Sequence, residues 1–264
     1  MRLPLLLRRL AAGLLLMPPI SGASLHAQAF AGPQPVEGGR LPADAAKVPF
    51  TVGERLDYEL KFGSIKVGNG SMEVKEIAEL RGKTTWHTVF RITGGFALYR
   101  VNDLNESWFD VVSLTSLRFY QDIDEGNYER KRRFEIYPDR QMLRDGEKRE
   151  EPSVAQPLDE GSFLYFVRTI PLEVGQSYEF DRYFKKDGNP VRIRVLRRET
   201  VTVPAGTFKT VVLQPTFQTK GIFSQNGKAE VWITDDERRI MVQMKSKLSI
   251  GSLNLYLKSA AGTK

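Results

Sequence analysis

Val201-Thr202-Val203-Pro204-Ala205-Gly206-Thr207-Phe208, returned by Lys209-Thr210-Val211-Val212-Leu213, is the stretch on which the fold turns. Two β-branched runs flank a proline followed two residues later by glycine. Pro204 presets φ for the first central position of a turn, and Gly206 accepts φ > 0 beyond it. The spacing predicts a three-residue hairpin loop with a bulge. A second unit of the same kind follows. Ala229-Glu230-Val231-Trp232-Ile233-Thr234 runs into the turn Asp235-Asp236-Glu237-Arg238, and Arg239-Ile240-Met241-Val242 returns. Asp235 or Asp236 can bond the main chain two residues on and nucleate that turn. Asp235-Asp236 with Arg238-Arg239 allows an acid pair under a basic clamp. A solvated turn with local ion pairs accounts for the same residues more simply.

Outward from these hairpins the chain bounds itself. Its 264 residues suit one large all-β domain, and a chain of this size buries about 70% of its unfolded surface. There is no cysteine, which excludes disulfides, thiolate nucleophiles and cysteine-held zinc. Met1 to Ala29 has the pattern of an export signal. Arg2, Arg8 and Arg9 precede an apolar run from Leu10 to Met17, and both Ala27-Gln28-Ala29 and Ser21-Gly22-Ala23 fit small-x-small cleavage. That run is too short to span a bilayer. Removing the segment takes three basic residues and no acidic one, leaving 36 against 32 and a net charge of +4. Residues 30 to 47, with Pro33, Pro35, Gly38, Gly39 and Pro42, have the composition of a flexible linker. The domain is expected over 48–264.

From Glu54 onward the dominant period is two. Leu56, Tyr58, Leu60 and Phe62 alternate with Arg55, Asp57, Glu59 and Lys61, the signature of a strand with one wet face. Gly68 and Gly70 predict a glycine-kinked strand, since no helix or lysine follows to make a phosphate loop. Trp86, Thr88, Phe90 and Ile92 share a face of the next strand. His87 lies on the other, and is expected at the surface or rim. Further strands are expected at Ala97 to Val101, Asn105 to Val112 and Ser116 to Ile123. One histidine after the signal rules out multi-histidine metal sites, and no Gly-x-Ser-x-Gly elbow occurs, so neither a metal nor a catalytic residue is assigned. No cofactor is implied.

Asp122-Ile123-Asp124-Glu125-Gly126-Asn127 lacks the ligands of a calcium loop and predicts a hairpin turn. In the strand after it, Arg130 and Arg132 share a parity with Phe134 and Ile136. Cations that point with core residues need anions or open water. Carboxylates of neighbouring strands can supply these, and so can an anionic head group such as a lipid phosphate. Arg130, Arg132 and Phe134 are the candidate ligand-binding residues. Later, Pro157 and Asp159 start a short helix whose apolar side carries Phe163, Phe166, Val167 and Ile170, and Pro171 ends it. At barely three turns it must dock on a sheet. Tyr178 to Phe184 and the row around Val191, Ile193 and Val195 are further strands. Leu253, Leu255 and Leu257 form a final one, with Ala260 to Lys264 frayed.

Several of these stretches resemble a bacterial cell-envelope family, the domain of unknown function numbered three-one-zero-eight. They are Val203–Phe208, Trp232–Asp236 with Arg238-Arg239, Ile250-Gly251-Ser252-Leu253, Pro49–Leu56 and Phe163–Leu172. The resemblance runs over about residues 48 to 258. It implies an exported, mostly antiparallel β protein and brings no activity and no site residues.

The strand count without a βαβ rhythm predicts an all-β fold. Accumulated twist favours a large antiparallel curled sheet, barrel-like or a half-barrel, with one short helix packed on it. Three functions follow. The first is a non-enzymatic periplasmic or envelope protein that holds a lipid or other amphiphile in the curled sheet. The second is an assembly factor that works through contacts with other envelope proteins. The third is a hydrolase, which requires two carboxylates about 5–9 Å apart in one cleft. Neither Asp235/Asp236 nor Asp122/Asp124 meets that requirement from sequence. Nucleic acid is not an expected partner, and no membrane span is expected after the signal.

Overall fold

The computed structural model describes residues 33–36, 41–96, 99–219, 223, 229–247 and 252–263. The expected signal segment Met1–Ala29, Ala97 at the start of an expected strand, and Ile250-Gly251 lie outside them. The described chain is a curled, mostly antiparallel sheet around one helix. Its strands are β1 (Gln34–Pro35), β2 (Arg55–Phe62), β3 (Ile65–Leu80), β4 (Lys83–Phe96), β5 (Tyr99–Asp110), β6 (Ser116–Glu125), β7 (Tyr128–Tyr137), β8 (Met142–Asp145), β9 (Glu151–Pro152), β10 (Ser177–Phe180), β11 (Val191–Val203), β12 (Gly206–Thr216), β13 (Glu230–Thr234), β14 (Met241–Lys247) and β15 (Ser252–Ala261). They form a 15-stranded sheet that runs from β10 through β15 to β2 and on to β9, with β1 added on β3. The sheet does not close: β10 and β9 are its ends.

Alternation sets the inner face and bulges set the curl. Leu56, Tyr58, Met72, Val74, Trp86, Phe109, Phe119 and Phe134 all point inward into one core. The register shifts at Leu60/Lys61, Val74/Glu76, Trp108/Phe109, Val195/Arg197, Trp232/Ile233 and Leu257/Ser259. Each shift adds twist and bends its strand, rolling a sheet too wide to stay flat. Gly68 faces Gly94 across β3 and β4, where a Cβ on Gly68 would lie 2.2 Å from the Thr93 carbonyl oxygen. Only glycine permits that approach.

The helix α1 (Glu160–Phe166) fills the concave side, and every residue from Gly161 to Phe166 is buried. Phe50 joins it to the sheet, its ring 5.0 Å from Tyr165 and 5.2 Å from Trp86. The helix is seven residues long, shorter than its sequence period suggests, because Val167 to Ile170 leave it in turns. Asp159 is its N-cap, accepting from the Gly161 and Ser162 main-chain N–H groups at 2.8 and 2.9 Å.

Four expectations are corrected. The Pro204 hairpin pairs Val203 with Gly206, so its loop has two residues and no bulge. The bulge sits at Val195/Arg197 instead, where the strand must bend. β5 is one strand where two were expected. Part of the supposed linker lies against the domain: β1 pairs with Glu79 and Ala78, and Ala46 N–H donates to the Val111 carbonyl at 2.9 Å. The C-terminal strand does not fray at Ala260, which pairs with Leu56.

Candidate functional site

The turn of the second hairpin is built by Asp236. Its Oδ1 accepts from Thr234 Oγ1 at 2.7 Å and from Arg238 N–H at 3.1 Å, and Arg238 returns to Oδ2 at 2.6 Å. Burial pushes this carboxyl up, but the bonds from Arg238 and Thr234 outweigh it and hold it low. Asp235 pairs with Arg198 at 2.9 Å. Trp232 lies on the outer face with Lys245 over its ring at 5.3 Å, and its Nε1–H donates to Glu199. Asp122 and Asp124 pair with Lys131 and Arg100 at 2.9 and 2.8 Å. These four carboxylates each face a cation of their own, and none converges with another on a cleft.

The carboxyls that do meet were not singled out in the sequence. Asp103 and Glu125 are both buried. Tyr99 Oη–H donates to Glu125 at 3.3 Å, and Asp124 N–H donates to Asp103 at 3.1 Å. Burial and the adjacent Asp103 push Glu125 up to about 8, and Asp103 is raised as well, chiefly by burial. A pKa raised on folding means the folded state holds the extra proton. Its stabilisation is present below about 4.5 and is lost as pH rises towards about 8. Glu125→Gln is therefore expected to flatten the pH dependence of thermal unfolding between pH 5 and 8, relative to the parent protein. Parallel curves for the two proteins would contradict this.

His87 is corrected from rim to buried. It is 3% exposed, on the outer face as its parity predicted, and its ring stacks on Trp108 at 4.2 Å. Its two nitrogens meet Glu76 at 2.8 Å and Glu106 at 3.1 Å. The bond from His87 holds Glu106 low against the opposing effect of burial. The carboxylates lie on opposite sides of the ring, which makes this a cross-strand brace. Alternation showed the face, but the stacking partner from β5 is a tertiary contact.

Of the candidate ligand residues, Arg132 pairs with Asp145 at 2.5 Å, and Lys148 shares that carboxylate at 2.7 Å. Burial raises Asp145, and these two cations more than offset it. Arg130 bonds the Tyr128 hydroxyl at 3.4 Å. Both arginines line an open basin of about 490 Å³ with Lys131, Asp145 and Lys148. Phe134 is not available to a ligand. It is 0% exposed, locked between Phe119 and Phe184, because its position on β7 falls in the middle of the core. Its ring instead carries two cations, Arg132 at 4.3 Å and Lys185 at 5.0 Å.

Lys185 follows the stretch Tyr178 to Phe184, expected as one strand and corrected here, since that strand ends at Phe180. Residues 181–190, between β10 and β11, form a strap over the seam between the two sheet ends. The strap is tied through Asn189, whose side chain accepts from Tyr183 N–H at 2.8 Å and donates to the Tyr183 carbonyl at 2.9 Å. Gly188 lies under the Tyr183 ring, where a Cβ would be 2.1 Å from it. The seam itself is joined by one parallel bridge, Leu158 to Tyr183, and by Ser153 Oγ–H donating to the Phe184 carbonyl at 2.6 Å. Arg182 lies over Phe166 at 4.7 Å and donates to the carbonyls of Gln156, Ser113 and Leu114. It pairs with no carboxylate among the described residues, and burial pushes it down to about 10. Burial also lowers Lys185, with Glu160 opposing. Beneath the strap lies an apolar recess lined by Leu158, Phe163, Phe166, Phe180, Tyr183 and Val191, with Arg182 its single charged wall. It is closed tightly enough to exclude a water molecule.

Comparison with known proteins gives a family and a fold. A family model described as "Protein of unknown function (DUF3108)" matches residues 57–258. No curated protein matches the sequence. The crystal structure of a β-barrel-like protein of domain family DUF1849 from Brucella abortus superposes with a TM-score of 0.53 at 10% identity, covering 83% of this chain and 100% of that one. A "putative lipoprotein" from Parabacteroides distasonis gives a TM-score of 0.37 at 12% identity, covering 81% of this chain and 97% of that one. A "putative exported protein with YmcC-like fold" from Bacteroides fragilis gives 0.36 at 10% identity, over 82% of this chain and 99% of that one. The first supports a barrel-like fold, and the other two superpose too loosely to bear on it. Among the described residues no helix is long and apolar enough to cross a membrane.

Proposed function

The chain belongs to the DUF3108 family, and from that premise we propose that it is an exported cell-envelope protein that binds an anionic amphiphile and catalyses no reaction. The observation that carries this reading is the pair Arg132 and Lys185 over the Phe134 ring, with Arg182 over Phe166 at the wall of the apolar recess under the strap. Cations over an apolar, aromatic lining match a ligand with an acidic head and a hydrocarbon chain. Export rests on the charge and apolar pattern of Met1–Ala29.

Native mass spectrometry of protein purified from the bacterial envelope tests the proposal, with a titration of dodecyl phosphate alongside. A complex with one acidic amphiphile per chain is expected. Protein that carries none and takes up no dodecyl phosphate would overturn it. A second reading, an assembly factor working through protein contacts, draws on the exposed end strand β10, where Ser177 and Glu179 face solvent. Stoichiometric cross-linking of β10 to one envelope protein, in chains free of lipid, would favour that reading.

A further inference from the structure

We propose that the strap 181–190 is a lid, and that the apolar recess beneath it receives the hydrocarbon chain of an anionic amphiphile whose head is held by Arg182 and Lys185. This rests on the amphiphile reading above and adds where the ligand enters and what must move.

The seam is the weakest joint in the sheet. β3 and β4 are zipped from Gly68↔Gly94 to Leu80↔Lys83, and β4 and β5 from Thr85↔Asp110 to Phe96↔Tyr99. β9 and β10, by contrast, form no ladder with each other. The strap is held by the Leu158–Tyr183 bridge, by Gln218 N–H donating to the Gly188 carbonyl at 3.1 Å, by side-chain bonds of Ser153, Arg182 and Tyr183, and by the buried Phe184 ring. Segments with few main-chain bonds to the body open first. The strap is also internally tied, since Asn189 bonds both the N–H and C=O of Tyr183 and Gly188 N–H donates to the Lys185 carbonyl at 3.0 Å. It therefore moves as a unit about its ends.

Opening exposes what the recess needs. Lifting Tyr183, which lines the recess, uncovers the faces of Phe163 and Phe166 on α1 and Val191 on β11. Phe163 continues to Phe217 at 4.8 Å, which extends an aromatic lane inward. The cations select the head group. Arg182 spends its donors on three neutral carbonyls, and Lys185 makes no ion pair among the described residues. Both would exchange weak partners for an acidic head, where hydrogen bonds between charged groups are stronger. Glu160 is the carboxylate that acts most strongly on Lys185, and it is engaged by the Tyr183 hydroxyl at 2.7 Å.

The chain has no cysteine, so an engineered pair gives a single defined disulfide. Gln156 and Asp181 are exposed and lie on opposite sides of the seam, where Arg182, next to Asp181, donates through Nε to the Gln156 carbonyl at 2.8 Å. In the Gln156→Cys/Asp181→Cys protein, oxidation is expected to weaken binding of dodecyl phosphate at least tenfold, and reductant to restore it. Arg182→Gln should weaken it by a similar factor, Arg182→Lys should retain most of it, and dodecyltrimethylammonium should not bind the parent protein. In the parent protein, saturating dodecyl phosphate should also speed hydrogen exchange at the Leu158 and Phe184 amides, whose bonds hold the seam. Equal binding by oxidised and reduced forms, or unchanged exchange at those amides, would overturn the lid and leave the amphiphile reading standing. Equal binding of the cationic amphiphile would overturn the head-group assignment. A parent protein that binds neither compound would overturn the amphiphile reading itself.

Discussion

Arg168→Ala is expected to remove about 3–5 kcal/mol of stability, a large share of the roughly 5–15 kcal/mol that holds a typical domain folded. Arg168 is 0% exposed and Glu54 is 1% exposed. The guanidinium grips both carboxylate oxygens, Nη1 on Oε1 at 2.5 Å and Nη2 on Oε2 at 2.9 Å. It also donates to the carbonyls of Pro49 and Arg238, at 3.2 and 3.0 Å, and lies 5.4 Å from the Phe50 ring. One side chain thus ties the exit of α1 to the segment before β2 and to the β13–β14 turn. Truncation strands a carboxylate in the core, and that desolvated charge is the main cost. The control is Arg168→Met with Glu54→Leu, which removes both charges and should recover most of the loss. Urea unfolding measures both. A single variant within about 1 kcal/mol of the parent would show that the pair is hydrated and the account wrong.

Phe50→Ala should be comparably damaging, about 3–5 kcal/mol, because it leaves a hole where four elements meet. The ring is fully buried against Trp86, Tyr165 and Phe109. It comes from an irregular segment, so neither period two nor helical spacing explains its burial. By the usual scaling the loss corresponds to a fall of roughly 6–20 °C in Tm. A fall below about 2 °C would mean that the neighbouring rings collapse into the space, or that Phe50 is not the joint between α1 and the sheet.

Much of the sheet was legible because alternation is a local property. Leu56, Tyr58 and Leu60 face the core for the same reason that Arg55, Asp57 and Glu59 face water, and any strand with one buried face repeats it. The helix start at Asp159 was legible too, since an N-cap is a bond between residues three apart. The hairpin at Pro204 was placed correctly and its loop length was not. A bulge and a two-residue turn use the same residues, and the partner strand decides between them. For the site, Arg132 was visible as a cation sharing a core parity, but Phe134 was misjudged as a ligand contact. Arg182, Lys185 and Arg168 gave weaker signals: each is a cation within two residues of large apolar side chains. That pattern marks a residue needing a partner without saying which.

Residue order alone determined a cysteine-free, antiparallel β chain with one short capped helix, because those properties come from neighbours a few residues apart. Tertiary structure decided where the sheet stops, that a strap covers the stop, and that Glu54 meets Arg168 across 114 positions of sequence. Those outcomes depend on bulges summing their bends over the whole sheet and on side chains meeting in three dimensions. No window of the chain contains both halves of such a contact.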